Sequence, residues 1–345
     1  MLHKAYALLL AFLMISCGSN SKNEATAAVN PTGGTSLPGN TSQELEPAVI
    51  VPQFNADSAY NFIERQVAFG PRVPGTATHG ECGDYLVAKL RSYGAEVVTQ
   101  DVDLEAYNGD VLKSRNIIAS FQPEKKQRVM LCAHWDTRPW ADSDPDPLNH
   151  YKPLPGANDG GSGVGVLLEI ARQLAGVPTT VGVDIILFDS EDYGIHENDS
   201  KEYASVTDTW ALGSQYWSRR PHNFSYSPKY GILLDIVGAP ASRFMMEGIS
   251  MHYAPTIVRK VWKHAKNAGY SSYFVDEEGG YITDDHLYVN EIAGIKCIDI
   301  INYDPDSPNG FGPYHHTMKD DMDWIDKETL KAVGQTVLNV IYNEK

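Results

Sequence analysis

The sequence predicts an α/β fold, a three-layer sandwich whose central mixed, largely parallel β-sheet is flanked by helices. Three observations lead there. Short runs rich in Val, Ile and Leu alternate with segments whose apolar residues recur every three and four positions. From residue 55 onward no linker or internal repeat breaks that alternation. Carboxylates and histidines gather where the apolar runs end, the place where open α/β sheets carry their sites.

In chain order, apolar spacing predicts helices over 56–69 and 77–93. Strands at 95–103, 115–121 and 127–133 follow, each short and bounded by Gly, Pro or charge. A glycine-rich turn opens a helix at 161–175, the run Val183–Phe188 marks a strand at 182–189, and helical spacing returns at 209–219. Strands at 230–237 and 294–301 enclose a helix at 254–268, and a helix over 326–343 ends the chain.

Ahead of this domain, residues 1–17 have the plan of a lipoprotein signal peptide. Lys4 gives a short positive start, Ala7 to Ile15 an apolar stretch too short to span a bilayer, and Ser16-Cys17 closes it. The small residue before the first cysteine resembles the bacterial lipobox, which implies lipidation of Cys17 and attachment to the cell envelope, periplasm-facing or at the outer membrane. A plain secretory peptide with an incidental cysteine is the alternative. Residues 18–54 are rich in Ser, Thr, Asn, Ala, Gly and Pro and read as a flexible tether, leaving 55–345 as a single domain.

With 28 basic against 44 acidic residues, the net charge of −16 repels phosphate backbones and argues against nucleic acid as a partner. Cys82, Cys132 and Cys297 are odd in number and far apart, so they build neither a disulfide framework nor a close-paired zinc site. Cys132 and Cys297 lie in apolar runs and are expected as buried thiols.

The run Arg128–Ala133 delivers His134-Trp-Asp136, Gly156–Gly163 forms a glycine-rich turn containing Asp159, and Val183–Asp189 ends in Ser190-Glu191-Asp192. Tyr230–Leu234 leads to Asp235, and His315-His316 precedes the last helix. Taken singly, an Asp after a strand is a cap or a turn former, and the glycine turn lacks the Lys-Ser/Thr of a phosphate loop. Taken together, they supply the mixed imidazole and carboxylate set that zinc selects.

From about residue 55 to the end, the order His134-x-Asp136, Asn158-Asp159-Gly160, Glu191-Asp192, Asp235, His316-Thr317 resembles the zinc aminopeptidases of the M28 type, and within them the type II (animal-type) glutaminyl cyclases. The resemblance implies metal-ligand positions at Asp159, Asp192 and His316, with His134 and Asp235 completing a second site when two metals bind. It also implies Glu191 as general acid and base, and Asp136 as the residue that orients His134. Asp235-Ile-Val-Gly-Ala-Pro240, Asp284-Asp-His286 and His316-Thr-Met318, with Asp320 in register beyond, resemble the cyclases in particular, which makes Glu191, Asp235 and Asp284 the catalytic set. There are departures. Position 192 is Asp where cyclases carry Glu, position 315 is His where animal cyclases carry Trp, and residues 193–209 form a longer, more polar loop. Trp210, Trp140 or Trp135 is the candidate for the missing aromatic wall.

The resemblance implies one zinc ion and conversion of amino-terminal glutamine in peptides or proteins to pyroglutamate with loss of ammonia. Two alternatives stay open: a two-zinc aminopeptidase on the same ligands, and a non-catalytic surface lipoprotein that only binds. Oligomeric state is not legible in the sequence.

Overall fold

A computed structural model describes residues 49–307 and 310–345; Cys17, the signal peptide and most of the tether lie outside them. The sheet is six-stranded, in the order β1 (Glu96–Glu105), β2 (Val111–Phe121), β4 (Gly182–Phe188), β3 (Arg128–His134), β5 (Gly231–Asp235), β8 (Cys297–Ile301). β4, β3, β5 and β8 run parallel, whereas β1, β2 and β4 pair antiparallel, so the sheet is mixed and parallel where the site lies.

Side-chain alternation sorts the strands into two cores. Val129, Leu131 and Ala133 of β3 and Val183, Ile185 and Leu187 of β4 face the larger one, with α1 (Ala56–Val67), α2 (Ala77–Ser92), α3 (Gly161–Gly176), α6 (Pro255–Asn267) and α8 (Lys327–Tyr342). Met130, Cys132, Ile186 and Phe188 point the other way, under Trp217 of α4 (Leu212–Arg219) and Val289 of α7 (Asp285–Glu291). Both faces are covered, which explains why the central strands read as unbroken apolar runs. Polar side chains set where the helices start: Asn55 accepts from the Ser58 amide, Thr76 from His79 and Asp326 from Thr329. Val51 packs on the larger core and Phe54 is buried in it, so the described chain docks on the domain slightly before residue 55.

Several elements differ from expectation for local reasons. The helix expected at 254–268 is α6, and a short helix not expected from the sequence, α5 (Gly248–Tyr253), precedes it; Pro255 opens α6 and holds Ala254 out of the α region between them. The strand expected at 230–237 stops at Asp235, where Ile236 turns to φ 49. The helix expected from 209 starts at Leu212, after Ala211 at φ 56. A two-stranded sheet of β6 (Phe244–Met246) and β7 (Phe274–Glu278), together with α5 and α7, was not legible as separate elements. All three cysteines are free and buried: Cys82 in the larger core, Cys132 and Cys297 in the smaller.

Candidate active site

The parallel strands end side by side, and the turns that leave them build one pocket. His134 is the last residue of β3 and Asp235 the last of β5, while Glu191 and Asp192 sit in the turn after β4. Asp159 lies in the turn ahead of α3, Asp284 caps α7, and His316 lies in the loop ahead of α8. A cavity of about 180 Å³ is lined by Asp159, Glu191, Asp192, Asp235, Asp284 and His316. His134 is buried against two of these residues.

Three of these turns are held in backbone conformations that side chains resist. Ser190, Ile236 and His316 have φ of 55, 49 and 54, the left-handed region where a β-branched residue such as Ile is an outlier. Such residues cost on the order of 1–3 kcal/mol each and persist only when neighbours enforce them. Here Asp189 Oδ1 accepts the Ser190 amide at 2.8 Å and Asp235 Oδ1 the Ile236 amide at 2.9 Å. The loop 140–156 fixes His316: the Ser143 amide donates to its carbonyl, and Asp144 accepts the Met318 amide.

The donor atoms form two adjoining groups that share Asp159. His316 Nε2 is 3.4 Å from Asp192 Oδ1 and 3.7 Å from Asp159 Oδ2. His134 Nε2 is 3.0 Å from Asp159 Oδ1 and 3.2 Å from Asp235 Oδ1. Burial, with the nearby Arg138 charge, pushes the His316 imidazole down to about 3, so it is neutral, the form that ligates metals. Burial and then the Asp159 charge push Asp192 well above the carboxylate range. Asp192 Oδ1 is buried and no protein group hydrogen-bonds to it. An orphaned carboxylate oxygen beside a neutral imidazole and a second carboxylate is a donor set that fits zinc, whose charge would relieve the repulsion.

A second layer aims these groups. Asp136 accepts the amides of Glu191 and Asp192 at 3.1 and 3.2 Å and lies 3.5 Å from His134 Nδ1. Asp320 accepts the amides of Asn158 and Asp159 at 2.7 and 3.1 Å. Arg138, fully buried, grips Asp142 with two nitrogens, donates its amide to Asp192 Oδ2 at 2.9 Å and reaches the carbonyls of Asp192 and Ile195. Sequence reasoning missed Arg138, because apart from Asp142 its partners, Asp192, Gly194 and Ile195, lie more than fifty positions away in sequence.

Trp210 is the tryptophan that lines the cavity. Its ring stacks on His316 with centroids 5.8 Å apart and 8° between planes, and Arg138 sits 4.7 Å over it. The approach is so close that a Cβ on Gly194 would fall 2.0 Å from the indole. Trp135 is instead buried and stacked on His79, and Trp140 packs with Tyr107, Tyr193 and His196. His315 occupies the wall position, stacked on His316 and tilted against Phe311. Ile236, Ile282 and Ile301 add apolar surface.

Burial, together with the Asp284 and Asp192 charges and against the pull of His134, raises Glu191 well above the usual carboxylate range. Burial and the Asp235 charge bring Asp284 to about 7. Acids raised in this way inside a cleft are suited to moving protons near neutral pH.

The family model of Peptidase family M28 matches residues 116–341, a span that holds every residue of this site. The chain belongs to peptidase family M28. Among solved structures, the M28 chain is 57% identical to a glutaminyl cyclase of Bacteroides thetaiotaomicron bound to N-acetylhistamine, with a TM-score of 0.84 over 86% of this chain and 100% of that one. It is 55% identical to a leucine aminopeptidase precursor from the same species, with a TM-score of 0.80 over 86% and 100%. Among curated proteins, aminopeptidase YwaD of Bacillus subtilis is 28% identical over 297 residues, 82% of this chain and 55% of its own length. The M28 chain thus spans about half the length of that curated relative.

Proposed function

We propose that this domain is a zinc-dependent glutaminyl-peptide cyclotransferase, which converts the amino-terminal glutamine of peptides and proteins to pyroglutamate and releases ammonia. The observation that carries this reading is the third acid. Metal-assisted hydrolysis needs the five ligand positions and Glu191, but here Asp284, outside that set, lines the same small, apolar-walled cavity. An amine nucleophile and an amide leaving group both carry N–H donors, and an extra carboxylate suits them. Similarity to the Bacteroides thetaiotaomicron glutaminyl cyclase supports the same reading.

Asp159, Asp192 and His316 would hold one zinc ion, which supplies Lewis acidity toward the glutamine side-chain carbonyl. Glu191 takes a proton from the α-amine as that nitrogen bonds to the amide carbon, then returns it to the departing nitrogen. One C–N bond forms, another breaks, ammonia leaves, and no water is consumed. Asp235 and Asp284 accept hydrogen bonds from the substrate nitrogens, while Trp210, His315 and Phe311 keep the ring-forming conformer dry. Because attack is intramolecular, that orientation contributes several kcal/mol.

The single ion follows from the resemblance to the cyclases; His134, Asp159 and Asp235, whose ligand atoms lie within 4.8 Å of one another, form the group a second ion would use. The second reading, a two-zinc aminopeptidase, is favoured by the convergence of all five ligand positions and by similarity to aminopeptidase YwaD. Incubation with Gln-peptides and with Leu- or Ala-peptides separates the two: ammonia without free amino acid is expected, and free amino acid without ammonia would defeat the cyclase reading.

The leader pattern supports a lipid anchor at Cys17 and a place in the cell envelope. No helix among the described residues is long and apolar enough to cross a membrane. Lipid labelling that persists in Cys17→Ser would refute the anchor.

A further inference from the structure

Asp284, which lines the pocket, belongs also to a second set of ligand atoms whose other members, His286 and Asp299, the proposed reaction does not use. Asp284, His286 and Asp299 each offer one atom, all within 4.8 Å of one another. The three residues are 3%, 0% and 1% exposed. His286 Nδ1, Asp284 Oδ2 and both oxygens of Asp299 are buried with no hydrogen-bonding group against them. No Lys or Arg among the described residues pairs with any of the three. His286 Nδ1 stands 4.0 Å from Asp299 Oδ2, too long for a hydrogen bond. Two ligands of one zinc ion, each about 2.0–2.2 Å from it, stand roughly 3–4 Å apart.

The histidine is held for this purpose. Its Nε2 lies 3.0 Å from Glu247 Oε2. The Glu247 carboxylate also accepts the amides of Ile249, Ser250 and Ile282. Burial alone would raise Glu247, but the His286 hydrogen bond and those amides hold it down to about 2, so it is an acceptor only. Nε2 therefore donates to Glu247, and Nδ1 is the ring nitrogen turned toward Asp299. A carboxylate behind the far nitrogen of an imidazole, fixing its tautomer and its aim, is the arrangement found behind metal-bound histidines. A water molecule has two protons to offer three lone-pair donors. A cation satisfies all three.

We propose that Asp284, His286 and Asp299 form a second, buried zinc-binding site, distinct from the Asp159–Asp192–His316 site, in which the ion locks the carboxylate of Asp284 in place under the reaction pocket. Glu247 is its orienting partner. Asp284 lines the cavity, so an ion can enter from there. The inference does not depend on which reaction the pocket performs, since His286 and Asp299 belong to neither ligand set.

The test is anomalous X-ray scattering above and below the zinc edge on crystals of the protein equilibrated with zinc chloride. A peak enclosed by Asp284, His286 and Asp299 is expected beside the one at His316, and Asp299→Asn should remove the inner peak alone. Density there without an anomalous signal, such as a water bridging a protonated His286, would overturn the proposal. Metal analysis of the soluble protein gives an independent reading: His316→Ala should retain zinc, and His316→Ala/Asp299→Asn should hold one ion fewer per chain. Equal zinc content in those two variants would also overturn it.

Discussion

Glu191 is a buried acid that lines the cavity and is raised well above the carboxylate range, and its isosteric change is the cleanest test of proton transfer. Glu191→Gln keeps the volume and removes the base, so kcat should fall about 10²–10⁴-fold with zinc content unchanged, read by ammonia release and metal analysis. Trp210 tests substrate contact instead. A methyl group at position 194 cannot coexist with the indole 2.0 Å away, so Gly194→Ala should swing Trp210 off His316. KM should then rise about tenfold or more, with kcat less affected, in a steady-state assay. At this scale the histidines and carboxylates that line or adjoin the pocket were legible because each ends a strand or lies in a turn, where an unpaired charge has no structural need. Arg138 and the choice of Trp210 were not, since both depend on which loops meet across the sheet.

The decisive element is the turn into α3, because it carries the ligand shared by both donor groups. Two of its buried amides are collected by Asp320, a side chain from a loop more than 150 positions away in sequence. Asp320→Ala should leave the helix and sheet content intact by circular dichroism yet weaken zinc binding about 10–100-fold in a competition assay with a chromophoric chelator, as loss of an orienting partner does. The long, strongly periodic elements were readable because period 3.6 and period 2 leave repeated marks over ten residues or more. The short ones, α5, α7, β6 and β7, were not, because three to seven residues carry too few repeats; Asp284, a catalytic candidate from its Asp-Asp-His motif, is also the cap of α7.

Across the whole molecule, the last helix is clamped to the sheet by its final turn. Glu344 meets Lys229, Lys260 and the Tyr230 hydroxyl. Burial opposes its charge, but these partners win and hold its carboxyl down to about 2 against an ordinary 4.5. A carboxylate depressed in the folded state stabilises above the unfolded value and loses that contribution as pH falls from about 4.5 toward 2. Glu344→Gln should therefore lower the melting temperature at pH 7, by the equivalent of about 2 kcal/mol for charged hydrogen bonds. The two proteins should converge as the pH approaches 2 in scanning calorimetry. The two-core architecture also gives the protein built-in clocks. Cys82 is shut beneath the helices of one face, and Cys132 and Cys297 beneath those of the other. A thiol-reactive dye can reach them only when the corresponding layer lifts, so the order in which they are labelled would report which side of the sheet breathes first, with no probe added to the protein.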